Sequence, residues 1–261
     1  MKYAIITGAA SGLGRELAIQ LANQQYELML WDIQKDPLQS VAQELSAQYQ
    51  VVDMGIESAI SAAFQDFQEQ SQHLHLFINC AGISITGAAV ELTPLHWNRI
   101  IDINLKGAIL GATYALQIMK DQGYGQIVNI ASIFGLLPAP SAIAYSTSKH
   151  ALVGFSKTLA IEARSYGVEI YTICPGFIQS ALFQNATYVG VCKDMMLQKT
   201  PTTIPVQDAA LRIIQGIKKK QSLQIFPFSA KILFYLERYW PWLSRKILQQ
   251  SWKDFQNLPQ K

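Results

Sequence analysis

Ser132, Tyr145 and Lys149 are the residues of this sequence best suited by type and spacing to move a proton. Tyr145 and Lys149 stand four apart, so on a helix they share one face and can reach one ligand. An ammonium beside a phenol favours the phenolate, whose unperturbed pKa is about 10, and so brings proton transfer toward neutral pH. The pair alone is weak evidence, because a surface tyrosine beside a surface lysine is common. Ser132 adds position. The apolar run Gln126–Ala131 before it reads as a buried parallel strand, which puts Ser132 at the carboxyl end, where open α/β sheets bind ligands. Pro138–Ser141 breaks regular structure, and a helix then runs from Tyr145 to Tyr166.

The elements that must position these residues begin at the other end of the chain. Lys2–Thr7 reads as a short apolar strand, followed by the turn Gly8-Ala-Ala-Ser-Gly-Leu-Gly14 and a helix from Arg15 to Gln24. Strand, glycine turn and helix open a dinucleotide-binding unit: backbone amides approach a pyrophosphate, and the helix N-terminus favours its charge. Glu27–Trp31 is the second strand and ends at Asp32, a carboxylate placed to accept from ribose hydroxyls and to repel a 2′-phosphate. This favours NAD(H), while nearby Lys35 keeps NADP(H) open. Asp36-Pro37 supplies the next helix start, with the helix reaching Gln48. Tyr49–Val52 is a third strand; Asp53 beyond it either meets an adenine amino group or caps the helix Glu57–Gln72.

Leu74–Asn79 is the fourth strand, ending in the small residues Asn79-Cys-Ala-Gly82 that close approach requires. Asn104 falls within an apolar helix that begins near Pro94. A buried amide there must find partners, at a backbone defect or through a water used in chemistry. Val168–Ile173 is the sixth strand, and Cys174–Ser180 follows at the carboxyl edge. Residues 181–205 read as a mobile substrate lid. The helix Val206–Lys218 and the strand Ser222–Phe226 complete the sheet.

Composition narrows the class. Half of the 261 residues are hydrophobic and 15% are charged, which suits a large core and excludes disorder. The net charge of +3 is uneven: from Lys218 onward nine Lys/Arg face two Asp/Glu, against 12 and 16 in the rest. Cys80, Cys174 and Cys192 share no metal-ligand spacing, and an odd count precludes complete intrachain bridging. His73 and His75 lack further ligands, so no metal site is expected. With no signal peptide and no run of about 20 apolar residues, the cytoplasm is the expected compartment. Lys218-Lys-Lys220 reads as a solvated helix end rather than a nucleic-acid contact.

Together these pieces resemble the short-chain dehydrogenase/reductase family from Lys2 to about Phe226. The resemblance rests on Thr7-Gly-x-x-x-Gly-x-Gly14, Asn79-x-Ala-Gly82, Asn104, Ser132, Tyr145-x-x-x-Lys149 and Pro175-Gly176. Cys80 departs from the family's usual asparagine. The resemblance implies an α/β fold, a Rossmann-like doubly wound parallel sheet of about seven strands, over residues 1–226. Residues 227–261 then form a helical extension of the same domain. It implies interconversion of an alcohol and a ketone or aldehyde by hydride transfer. Tyr145 would be proton donor or acceptor, and Lys149 would lower its pKa and hold the nicotinamide ribose. Ser132 would bond the substrate oxygen, and Asn104 would anchor a relaying water. The cofactor-binding set comprises Gly8, Ser11, Gly12, Leu13, Gly14, Asp32, Asp53, Met54, Asn79, Ala81, Gly82, Tyr145, Lys149, Pro175, Gly176, Ile178 and Ser180.

The tail departs from the family's tetramer-forming members, whose last strand is followed by a short end. Here Phe226-Pro-Phe, Phe234, Tyr235, Tyr239, Trp240-Pro-Trp242 and Trp252 follow. One reading is an interfacial segment touching anionic lipid or admitting a lipophilic substrate. The other is a pair of helices broken at Pro241 and packed over the substrate cleft or a partner in a homodimer or homotetramer. A catalytically idle dinucleotide-binding sensor is the alternative to an enzyme; the intact proton-transfer residues argue against it.

Overall fold

The computed structural model describes residues 2–70, 73–198 and 203–258 of the chain. Seven strands form one parallel sheet: β1 (Lys2–Thr7), β2 (Tyr26–Asp32), β3 (Gln48–Val51), β4 (Leu76–Asn79), β6 (Gly125–Ile130), β7 (Val168–Pro175) and β9 (Leu223–Phe226). Their spatial order is β3-β2-β1-β4-β6-β7-β9, so the winding reverses between β1 and β4, and a crevice opens at the carboxyl ends there. Two further strands, β5 (Ile85–Thr86) and β8 (Thr187–Tyr188), pair in parallel apart from this sheet.

Burial on both faces explains why the strands read as continuous apolar runs. On β1, Ala4 and Ile6 join a core cluster with Leu17, Leu30 and Ile213, whereas Ile5 joins the opposite one with Trp31, Phe64 and Phe77. The covering helices are α1 (Gly12–Ala22), α2 (Lys35–Leu45), α3 (Glu57–Gln70), α4 (Pro94–Ile101), α5 (Ala108–Gln122), α6 (Ile143–Glu162) and α9 (Val206–Lys218). A single 3₁₀ turn, Ala163–Tyr166, continues α6 to the expected end.

Several boundaries differ from the expected ones for local reasons. α1 starts at Gly12 because the glycine turn itself supplies its first turn. α2 starts at Lys35, so Asp36 lies in its first turn and is not the cap. The Asp32 carboxylate accepts from the Gln34 amide at 3.0 Å and begins the turn instead. Gln72, the expected end of α3, lies outside the described residues. The lid segment contains regular elements rather than an irregular loop: α7 (Ala181–Gln184), β8 and α8 (Lys193–Gln198), with residues 199–202 outside the description. Beyond β9 come α10 (Phe228–Tyr239) and α11 (Pro241–Gln256), broken where Trp240 leaves helical geometry before Pro241.

α4 and α5 are joined by a π-helical segment, Asp102–Gly107, which holds Asn104. Such bulges recur at functional sites. Gly107 makes this one close-fitting, since a β-carbon there would lie 2.0 Å from the Met54 carbonyl oxygen.

Candidate active site

A cavity of about 300 Å³ lies over the carboxyl ends of β1, β2, β4, β6 and β7. Its floor is built by the first glycine turn. Gly8 has φ +70°, and a β-carbon on it would come within 2.8 Å of the Ala81 backbone; one on Gly14 would lie 2.1 Å from the Gly8 carbonyl oxygen. Glycine is required at both positions by this packing. The Thr7 hydroxyl accepts from the amides of Cys80 and Ala81, each at 3.0 Å, and ties the end of β4 to the end of β1. Ser11 precedes α1 in extended conformation and makes no capping bond with its side chain. The first amides of α1 are thus left for an anion, and Gly12, Leu13 and Gly14 line the cavity.

Asp32 is buried at the rim. One carboxylate oxygen accepts from the Ala10 amide and the other from the Gln34 amide, both at 3.0 Å. These bonds hold a negative charge in a fixed place. Asp53 lines the same end, but its Oδ1 accepts from Gly55 N at 2.8 Å, closing a local turn. Of its two expected roles, the helix cap is thus taken by a turn just upstream of α3, while Asp53 still lines the cavity end where an adenine would lie.

At the other end stand Ser132, Tyr145 and Lys149, the residues expected to transfer a proton. Lys149 Nζ donates to the Ile130 carbonyl at 2.8 Å and lies 5.7 Å from the centroid of the Tyr145 ring. Ser132 Oγ accepts from the Phe134 amide at 3.1 Å, which begins a 3₁₀ turn and orients the hydroxyl. Burial pushes the Tyr145 phenol up to about 12, opposed by its hydrogen bond with Ser132. Burial likewise pushes Lys149 down to about 8. Burial is the largest influence on the phenol and acts against the ionisation expected of the Tyr145–Lys149 pair. Tyr145 stands in its neutral, proton-donating form.

Of the expected site residues, Asn79 and Asn104 do not line the cavity. Asn79 Nδ2 donates to the Ala108 carbonyl (2.9 Å) and to Asn129 Oδ1 (2.8 Å), behind the wall. Asn129 in turn donates to Ser156 Oγ at 2.9 Å, and that hydroxyl donates to the Leu152 carbonyl at 2.7 Å. This chain joins α5, β4, β6 and α6, so Asn79 is placed as a positioning residue. Asn104 accepts from Ile83 N (2.8 Å) and donates to Ile83 O (2.9 Å) and to Ser148 Oγ (3.3 Å). Its side chain clamps the connection between β4 and β5 rather than capping its own helix. The remaining expected residues, including Ala81, Gly82, Met54, Pro175, Gly176, Ile178 and Ser180, line the cavity.

The structure adds wall residues that the sequence did not single out, among them Arg99, Ile103, Ser84, Leu182, Phe183 and Asn185. Asn129 and Ser156 were equally missed; a polar residue inside an apolar strand was the available signal. A cofactor fits what is present. A β-carbon on Gly82 would take up space 3.3 Å from Asn104 Oδ1 and 3.7 Å from Lys149 Nζ, so that wall is kept open beside the lysine.

Residues 2–188 match the short chain dehydrogenase family. The chain is 35% identical over 204 residues to a 2-dehydro-3-deoxy-L-rhamnonate dehydrogenase (NAD(+)) of a Sphingomonas species, covering 77% of this chain and 80% of that protein. It is 31% identical over 248 residues to a putative oxidoreductase, SadH, of Mycobacterium tuberculosis, covering 91% and 90%. A crystal structure of a Burkholderia phymatum short chain dehydrogenase/reductase in complex with NAD has a TM-score of 0.84 at 26% identity, covering 91% of this chain and 92% of that one. The chain belongs to the short chain dehydrogenase family. It is accordingly an NAD(P)-dependent oxidoreductase acting on CH–OH groups.

Proposed function

We propose that this protein interconverts a lipophilic ketone or aldehyde and its alcohol with NAD(H) as preferred coenzyme, Tyr145 exchanging the proton. The carrying observation is the buried Tyr145 phenol on the cavity wall with Ser132 and Lys149 around it. The nicotinamide, when bound, supplies or accepts the hydride. Ser132 holds the substrate oxygen by a hydrogen bond, and Tyr145 donates its proton to that oxygen as negative charge develops there. Lys149 stabilises the phenolate left behind and takes part in holding the cofactor ribose. Asn104 keeps Ile83 and the π-helical segment in place, so its part in any proton relay passes through backbone it orders.

Support for NAD(H) comes from the fixed Asp32 charge, which would repel a 2′-phosphate. Lys35 is exposed and does not line the cavity, which leaves Asp32 unopposed by it. Support for a lipophilic substrate comes from the surroundings of Tyr145, which packs with Ile85, Ala144, Phe134 and Leu182. Phe134, Phe177 and Phe183 form a chain of ring contacts with centroids 5.6 and 5.5 Å apart, near the same end.

The test is oxidation of NADH against short, aromatic and long-chain carbonyl compounds, with NADPH in parallel and Tyr145→Phe as control. Turnover of the apolar compounds with NADH, lost in the variant, is the expected result. A preference for NADPH would overturn the role given to Asp32. Cofactor binding without turnover across the panel would favour an idle sensor.

A further inference from the structure

The tail helices leave an apolar stripe without a partner in the folded chain. On α10, Phe228, Ile232, Tyr235 and Tyr239 recur at intervals of four, three and four, so they lie along one face. All four are exposed, Phe228 at 76% and Tyr239 at 64%. The opposite face is the docked one, where Ala230 packs with Ile133 and Leu137. Trp240 and Trp242 carry the stripe round the break, and Leu243 and Ile247 continue it on α11. The α11 end is anchored separately, Phe255 and Leu258 packing on Val191 beside the lid. Ser244 donates to the Glu237 carboxylate and fixes the bend between the helices.

Charge around this stripe is mostly positive: Glu237, which accepts from Ser244, and Asp254 are the two acids of the tail helices. Lys231 and Arg238, seven apart, run along one flank of α10, and Arg245, Lys246 and Lys253 lie on α11. A second cavity, of about 610 Å³, opens beside the stripe between the end of α9, β9 and α10. Arg212, Lys219, Lys220, Lys231, Phe234 and Tyr235 line it, and no acidic residue does. Lys220 is paired with Glu169 at 2.7 Å; among the described residues Arg212, Lys219 and Lys231 have no ion pair.

We propose that this face docks on the surface of a bilayer containing anionic phospholipid, the stripe entering the interface and the basic cavity receiving a headgroup phosphate. Exposed Trp and Tyr next to cations suit the boundary between headgroups and acyl chains, where each ring has one apolar and one wet side. A second copy of the chain is the poorer occupant. A two-fold interface would bring the same basic flanks together, and like charges would oppose it. The uneven charge of the sequence gives the docking an orientation, basic tail toward the membrane and acidic body away from it. No described helix is long and apolar enough to cross a membrane, so the contact is one of surface.

The experiment is flotation of the full chain with vesicles of phosphatidylcholine alone or with about 30% phosphatidylglycerol, at about 0.1 M and 0.5 M salt. The expected result is flotation with the anionic vesicles, reduced at the higher salt and absent with the neutral ones. Lys219→Gln with Lys231→Gln should weaken it about fivefold for each cation removed. Ile232→Ser with Tyr239→Ser should weaken it as well, both double variants retaining the parent melting temperature and oxidoreductase turnover in solution. Protein left wholly in the soluble fraction would overturn the proposal. So would flotation unchanged in both double variants. A chain that elutes as a dimer, and as a monomer after Ile232→Glu, would assign the stripe to a second copy instead.

Discussion

Around the cleft, buried polar side chains are tied to backbone several elements away: Thr7 to Cys80 and Ala81, Asn104 to Ile83, Asp32 to Ala10, Lys149 to Ile130. Among the described residues of the tail, Ala230, Ser244, Phe255 and Leu258 are the deeply buried ones, and large aromatic side chains face outward. The two regions differ in what determines side-chain position. In the cleft each group is over-constrained by bonds that cost free energy when left unmade. In the tail a few apolar contacts dock the helices and leave the outer face free to meet something else.

That contrast can be broken most forcefully at Tyr145. Tyr145→Phe keeps the ring and removes the proton, so the turnover number should fall by about 10²–10⁴-fold with little change in cofactor affinity, read by steady-state kinetics and NADH fluorescence titration. Asn104→Ala should come next. It removes the side-chain partner of the Ile83 amide and carbonyl in a half-buried setting at the cavity wall and should lower stability by about 1–3 kcal/mol, measured by denaturant unfolding. Survival of both variants with parental properties would mean that the cleft is no more constrained than the tail.

A smaller effect concerns pH. In the proposed mechanism, carbonyl reduction needs the neutral Tyr145 and the charged Lys149. Since Lys149 is pushed down to about 8 and Tyr145 up to about 12, kcat/KM for reduction should be level below neutrality and fall as pH rises through about 8. A profile level to pH 10 would show that the lysine keeps its proton despite burial. The smallest effect belongs to the tail: Ile232→Ser, at a position 53% exposed, should change stability by no more than about 0.5 kcal/mol in the absence of membrane.

Much of the cleft was legible in the chain because its requirements are local. A glycine turn between a strand and a helix, an acid at the end of the second strand, and Tyr and Lys four apart each have their chemistry within a few residues. The same locality explains the reading of the strands, whose burial on both faces leaves unbroken apolar runs. Asn79 and Asn104 were found as residues, yet their partners were not. Ala108, Asn129, Ile83 and Ser148 are 21 to 50 residues away in sequence, and only the folded sheet brings them near.

By itself, the sequence determined the order along the chain of the seven strands of the main sheet, the glycine floor and which residues to test for proton transfer, since these follow from periodicity and from short-range spacing. The tertiary structure decided the direction in which the Tyr145 phenol is shifted, because desolvation depends on everything packed around a group. It decided which tail aromatics are buried as well. An amphipathic pattern says that a helix has an apolar face, but two apolar faces on one pair of helices compete for a single body, and only packing determines which stays outside.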